Sequence, residues 1–410
     1  MKHPTSFAAA VLGAVSIAVL VSGCSRTTIA VPGEGALTES IDVAAVQPSP
    51  STVPVAVTVL STPTVVEPLP STPAPSTEPA PPAPAECVAA LPLEWRAGQV
   101  LMPAAYGDRL DAIAPLIDDL AIGGIVLMTW PGGADPAGLL ELKERSAVPL
   151  LISTDEEGGD VQRLRSLGVL PSQADVAATS TPAEARDLVA AHAADVAALG
   201  VDLVLGPVVD VGSAAPIGRR SFGDDPDLVT AFATAYVDAW LSAGVTPVLK
   251  HFPGHGRASA DTHTAAASTP PLGDLESVEF VPYRSLAHHA GVAVMVGHLD
   301  TVGLTDGDGV PASLSPTAIS TLRSLGYDDA LVVTDALNMG AVPLALPAAA
   351  VASLAAGADV LLYTDTARTA EVRAAIVDAV LTGAVSADRL DESVLRILTR
   401  KRVDPCSIPT

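Results

Sequence analysis

Within the fourteen residues KHFPGHGRASADTH the chain places Lys250, His251, His255, Asp261 and His263, which include three of its eight histidines. Histidine can give and take a proton near neutral pH, and a carboxylate nearby can orient its ring and favour the protonated form. Lysine adds three hydrogen-bond donors and a positive charge. Zinc is the competing reading of clustered histidines. Zinc sites draw paired histidines from one helix face or a tight turn, whereas Pro253-Gly254 breaks any helix between His251 and His255. No metal or other cofactor is expected.

Such groups act together only if the fold brings them to one place. Eight short apolar runs follow Cys87: GQVLMPA (98–104), GGIVLM (123–128), PLLISTD (149–155), VDLVLGPVVD (201–210), TPVLKHF (246–252), VAVMVGHL (292–299), ALVVTDAL (330–337) and DVLLYTD (359–365). Helical stretches separate them. TPAEARDLVAAHAADVAALG has Thr181 as N-cap, Pro182 at the first helical position, Glu184 completing a capping box and Gly200 beyond the last turn. SADRLDESVLRILTRK repeats apolar residues at Leu390, Val394, Ile397 and Leu398, one buried face. Near-continuous apolar strands alternating with helices imply parallel strands covered on both faces. Eight such units favour a closed (β/α)8 barrel. An open doubly wound sheet is the alternative, but no Gly-rich phosphate fingerprint follows the first run.

The ionisable residues fall at the C-terminal ends of these runs: Asp155, Asp210, Lys250 and His251, His298, and Asp335. In a barrel those ends share one rim, the usual place of an active site.

Composition narrows the partners. The 410 residues are 17 % charged and carry a net charge of −24, so nucleic acid is not expected, because phosphate binding needs clustered Lys and Arg. At the N-terminus, Lys2 precedes an apolar run over residues 7–21, a secretory signal too short to span a bilayer comfortably. Val21-Ser22-Gly23-Cys24 resembles the lipobox of bacterial lipoproteins. Residues 1–23 are thus expected to be a signal peptide, with Cys24 lipidated and the mature chain anchored at the outer face of the cytoplasmic membrane. Residues 24–86 are rich in Pro, Thr, Ser, Ala and Val and read as an extended, disordered tether. Residues 87–410 read as the globular domain. Cys87 and Cys406, near its two ends, are expected to pair in an exported protein, with two separate buried thiols as the alternative.

KHFPGHG followed after four residues by DTH resembles the signature of family 3 glycoside hydrolases, in the bacterial β-N-acetylhexosaminidase branch. ISTDEEGGDVQRL, PIGRRSFGDDP, MVGHL, PASLS, VVTDALNMGAV, AGADVLL and RLDESVLRIL follow the family's order, between about Gln99 and Leu398. The resemblance implies exo-acting, retaining hydrolysis of terminal β-linked N-acetylglucosamine. Asp335 matches the nucleophile, which must form a glycosyl-enzyme and yield it to water. His263 and Asp261 match an acid/base dyad on a mobile loop, in place of the second carboxylic acid most retaining enzymes use. Gly254, Gly256 and the small residues around them suit a closing loop.

By the same resemblance Lys250 and His251 donate to sugar hydroxyls, Asp155 accepts from them, Arg220 binds ligand and His298 lines the pocket floor. Arg219 reads as a surface charge and His255 as a residue that shapes the loop by hydrogen bonding. Two departures stand out: Asp160 replaces the family's usual arginine near Asp155, and SAAP replaces the asparagine-proline step before Ile217-Gly218. The first could weaken an ion pair or alter preference beyond the first sugar. Expected substrates are N-acetylglucosamine-containing cell-wall fragments, and a monomer is expected. A phosphorylase of the same fold and a non-catalytic sugar-binding lipoprotein are the alternatives.

Overall fold

A computed structural model of the chain describes residues 82–107, 109–128, 136–146 and 148–409. The expected signal peptide, the expected lipidation at Cys24 and the expected tether up to residue 81 fall outside the described residues. No helix among those described is long and apolar enough to cross a membrane.

Eight parallel strands form the core: β1 (Leu101–Tyr106), β2 (Gly124–Met128), β3 (Leu151–Thr154), β4 (Leu203–Val208), β5 (Thr246–Phe252), β6 (Ala293–Val296), β7 (Val332–Thr334) and β8 (Leu361–Tyr363). Each pairs with its sequence neighbours. β8 returns to β1 through Leu101 opposite Leu361, and β7 meets β8 through Val333 opposite Val360. The sheet is thereby closed, as the alternation of apolar runs and helices implies. All eight runs contain a strand. The first begins later than expected, because Gly98 and Gln99 complete the helix Leu93–Gln99.

Local signals explain the surrounding helices. Pro182–Ala198 starts with the anticipated capping box, Glu184 N donating to Thr181 Oγ1 at 3.3 Å and Thr181 N to Glu184 Oε2 at 2.7 Å. Ala387–Lys401 buries Leu390, Val394, Ile397 and Leu398. Beneath it, at the N-terminal end of the barrel, Asp359 is fully buried and receives Arg323, Arg389 and Arg396.

The helix Pro84–Ala89 includes Cys87, so the tether boundary expected at residue 86 falls inside a helix. Cys87 is disulfide-bonded to Cys406 in the closing turn Pro405–Ser407. In this structure the bridge joins the two ends of the barrel domain.

Candidate active site

The ends of the barrel strands surround a cleft of about 780 Å³ lined by Asp155, Arg220, Lys250, His251, His263 and Asp335, with Val126, Leu205, Met295 and Leu362 among its apolar walls. This size is usual for a small-molecule site.

One wall is a clamp of buried charges. Nζ of Lys250 bridges Oδ1 of Asp155 at 2.8 Å and Oε1 of Glu157 at 2.6 Å. Arg220 forks onto Glu157 at 2.7 and 2.8 Å. Arg163 closes the set on Oδ2 of Asp155 at 3.1 Å. Burial alone would raise the carboxyls of Asp155 and Glu157, but the charges of Lys250, Arg163 and Arg220 outweigh it and hold both below the ordinary range. Burial would likewise lower Lys250, yet its two carboxylate partners raise it. The clamp stays fully ionised at neutral pH.

A short antiparallel ribbon, Glu156–Gly158 with Val161–Gln162, carries these acids. Gly158 is required there: its φ is +91°, and a Cβ would lie 2.2 Å from the carbonyl oxygen of Pro171. Glu156 points the other way, receiving Leu164 N at 2.6 Å and facing His192 Nε2 at 2.7 Å, which ties the ribbon to the helix Pro182–Ala198.

Asp210, fully buried just after β4, organises the end of β5 and the turn beyond it. One oxygen accepts His251 N at 3.1 Å and His255 N at 2.6 Å, and the other faces His251 Nδ1 at 2.7 Å. The second ring nitrogen of His251 faces Arg220 Nη2 at 3.2 Å. Both nitrogens of His251 thus have partners within the protein, and the ring lines the cleft beside Arg220.

Asp335 follows β7. Its Oδ1 accepts from Ala336 N at 2.8 Å. Burial pushes its carboxyl up, but His251, His298, the Ala336 N–H and Lys250 together hold it below the ordinary range. His263 lines the same cleft from the loop after β5, with its side chain 58 % exposed. Nδ1 of His263 lies 2.7 Å from Oδ1 of Asp261, which also accepts His263 N at 2.9 Å. Its Nε2 makes no hydrogen bond with the described residues.

His298 does not line this cleft. It is 1 % exposed, with Nδ1 against Ser313 Oγ at 2.7 Å and Nε2 against the Ala336 carbonyl at 3.1 Å. The pocket-floor expectation is corrected to a supporting position beneath the Asp335 turn. Asp160 is exposed on the cleft wall and leaves Asp155 with both its cations. Arg219, exposed as expected, pairs with Asp175 at the cleft mouth. The sequence reading missed Glu157 and gave Asp210 no role. The signal for Glu157 was present in the doubled acid of DEEGG, but its partners lie 63 and 93 residues away.

A closed α/β barrel whose C-terminal rim gathers an ionised aspartate, a loop-borne histidine and a clamp of paired charges has the anatomy of a glycoside hydrolase. The family model for the glycosyl hydrolase family 3 N terminal domain matches residues 93–400, and the chain belongs to this family. Over 271 residues it is 44 % identical to Beta-hexosaminidase LpqI of Mycobacterium tuberculosis, covering 63 % of this chain and 69 % of that one. The solved structure of M. tuberculosis LpqI superposes with a TM-score of 0.72 at 38 % identity, covering 78 % of this chain and 96 % of that one. A family 3 β-N-acetylglucosaminidase from Paenibacillus gives a TM-score of 0.72 at 32 % identity, covering 78 % of this chain and 64 % of that one.

Proposed function

We propose that the protein is a retaining exo-β-N-acetylhexosaminidase that releases terminal β-linked N-acetylglucosamine. Asp335 attacks the anomeric carbon while Nε2 of His263, oriented by Asp261, gives its proton to the departing oxygen, and the glycosidic bond breaks. The same nitrogen then takes a proton from water as the water oxygen displaces Asp335, restoring the original configuration. Asp155, Lys250 and Arg220 hold the sugar hydroxyls, and His251 and His298 fix the positions of Arg220 and the Asp335 turn.

The observation that carries this reading is the lining of one cleft by Asp335 and His263 together with the charged clamp. The names of the Mycobacterium and Paenibacillus relatives agree with it. The substrates we propose are cell-wall fragments in which N-acetylglucosamine is β-1,4-linked to N-acetylmuramic acid, met by an enzyme tethered to the envelope through Cys24. The lipobox-like tetrad supports that location, and mass spectrometry of the mature N-terminus tests it.

The functional test is incubation with N-acetylglucosaminyl-β-1,4-N-acetylmuramic acid, with and without phosphate, followed by NMR. Free β-N-acetylglucosamine as the first product in both cases is expected. An α-configured first product contradicts the covalent route, and N-acetylglucosamine 1-phosphate contradicts hydrolysis. Cleavage of β-glucosides alone contradicts the substrate class.

A further inference from the structure

We propose that His255 is a positioning residue that latches the acid/base loop over the cleft by holding Thr262, the residue between Asp261 and His263. The inference rests on the reading of His263 as proton donor.

The loop is anchored at both ends. At its start Arg257 forks onto the buried Glu279 at 2.6 and 2.7 Å. At its end Ala267–Ser268 pairs with Leu299–Asp300 beyond β6. Between these anchors the side chains of Asp261 and His263 are 38 % and 58 % exposed, whereas Thr262 is 1 % exposed. Thr262 turns inward and places Oγ1 2.9 Å from Nε2 of His255. Among the described residues, no other side-chain hydrogen bond leaves residues 260–265.

The other half of the latch is rigid. His255 is 2 % exposed, its N–H is held by Asp210, and its ring meets that of His251 edge-on with centroids 5.9 Å apart. A single buried carboxylate thus sets both His251 and the latch histidine. The Nδ1 atom of His255 is buried with no hydrogen-bond partner among the described residues. A proton there would be a buried donor with nothing to receive it, which is costly. A proton on Nε2 is instead donated to Thr262, so the neutral Nε2–H tautomer fits the site. Burial, which lowers the pKa of His255, acts in the same sense.

A latch that places the proton donor matters most when the leaving group needs a proton. The test measures kcat/KM, which reports bond cleavage to the leaving group, for two substrates. One is 2,4-dinitrophenyl β-N-acetylglucosaminide, which departs unaided; the other is the β-1,4 disaccharide of N-acetylglucosamine. Thr262→Val, of the same shape but unable to accept this bond, should lose on the order of 10-fold to 10²-fold on the disaccharide relative to the dinitrophenyl glycoside. Thr262→Ser should restore the ratio. The double variant His255→Leu/Thr262→Val should be no worse than either single variant. Amide hydrogen exchange across residues 260–265 should quicken in Thr262→Val.

Equal losses on both substrates, an unchanged ratio, or additive effects overturn the latch. His263→Ala, assayed alongside, separates the two failures. If it shows the leaving-group dependence and Thr262→Val does not, only the latch falls. If His263→Ala lacks it, or the wild-type protein cleaves neither glycoside, the proton-donor reading and the latch fall together.

Discussion

Oε1 of Glu157 lies 2.6 Å from Nζ of Lys250, with the two side chains 1 % and 2 % exposed. The same carboxylate takes the fork of Arg220, so it neutralises two cations that water reaches poorly. Glu157→Gln would leave Lys250 with Asp155 alone and Arg220 without its main anion. Loss of one partner from a buried ion pair costs about 3 kcal/mol or more. We expect that order of loss in urea unfolding and a KM raised about ten-fold. A variant with wild-type KM and stability would contradict the role given to the clamp.

Acid stability follows from the same carboxylates. Asp155, Glu157, Asp210 and Asp335 are all held below their ordinary values by neighbouring charges and donors that outweigh burial. A group whose folded pKa is depressed contributes stability that is fully present above its unfolded value, about 4, and is lost as pH falls through the folded value. The unfolding free energy should accordingly drop steeply below about pH 4, and Asp155→Asn should make the drop shallower. Stability that rises between about pH 5 and pH 3 would refute this.

Gly340 joins the Asp335 turn to the loop that carries Asp261 and His263. Its N–H donates to the His263 carbonyl at 3.0 Å, and a Cβ there would lie 2.7 Å from the carbonyl carbon and oxygen of Thr264. Gly340→Ala must push the loop away, and displacement of about 1 Å can cost about 10²-fold in rate. A fall in kcat/KM of about ten-fold or more is expected, against little change for Gly273→Ala, where a Cβ meets open space. Equal kinetics in the two variants would show that the contact is immaterial.

The Cys87–Cys406 bridge closes a separation of 319 residues. Cross-links over long loops stabilise chiefly by restricting the unfolded chain, by about 3–5 kcal/mol. Replacing both cysteines with serine should lower Tm clearly, and reduction of the wild-type protein should reproduce the shift. An unchanged Tm in both would refute it.

The barrel was legible because it is written locally. Each strand is an apolar run, and Thr181, Pro182 and Glu184 mark a helix start within four residues. The candidate rim was legible because Asp155, Asp210, Lys250, His251, His298 and Asp335 all end such runs. Depth and pairing were not. His298 and His251 stand at equivalent strand ends, yet one is packed below the cleft and the other lines it, a difference set by Ser313 and Arg220 from distant segments. Glu157 reads as one more acid in a turn until Lys250 and Arg220 fold against it. Gly340 reads as a plain turn glycine, since its constraint is the carbonyl of Thr264 on another loop.

The central claim is a covalent bond between Asp335 and the sugar. Incubation with a fluorinated N-acetylglucosaminide that accumulates the glycosyl-enzyme, followed by digestion and mass spectrometry, tests it most directly. We predict one added sugar on the peptide containing Asp335 and none in Asp335→Asn. A label on any other residue, or steady hydrolysis of the natural linkage with no trapped adduct, would contradict it.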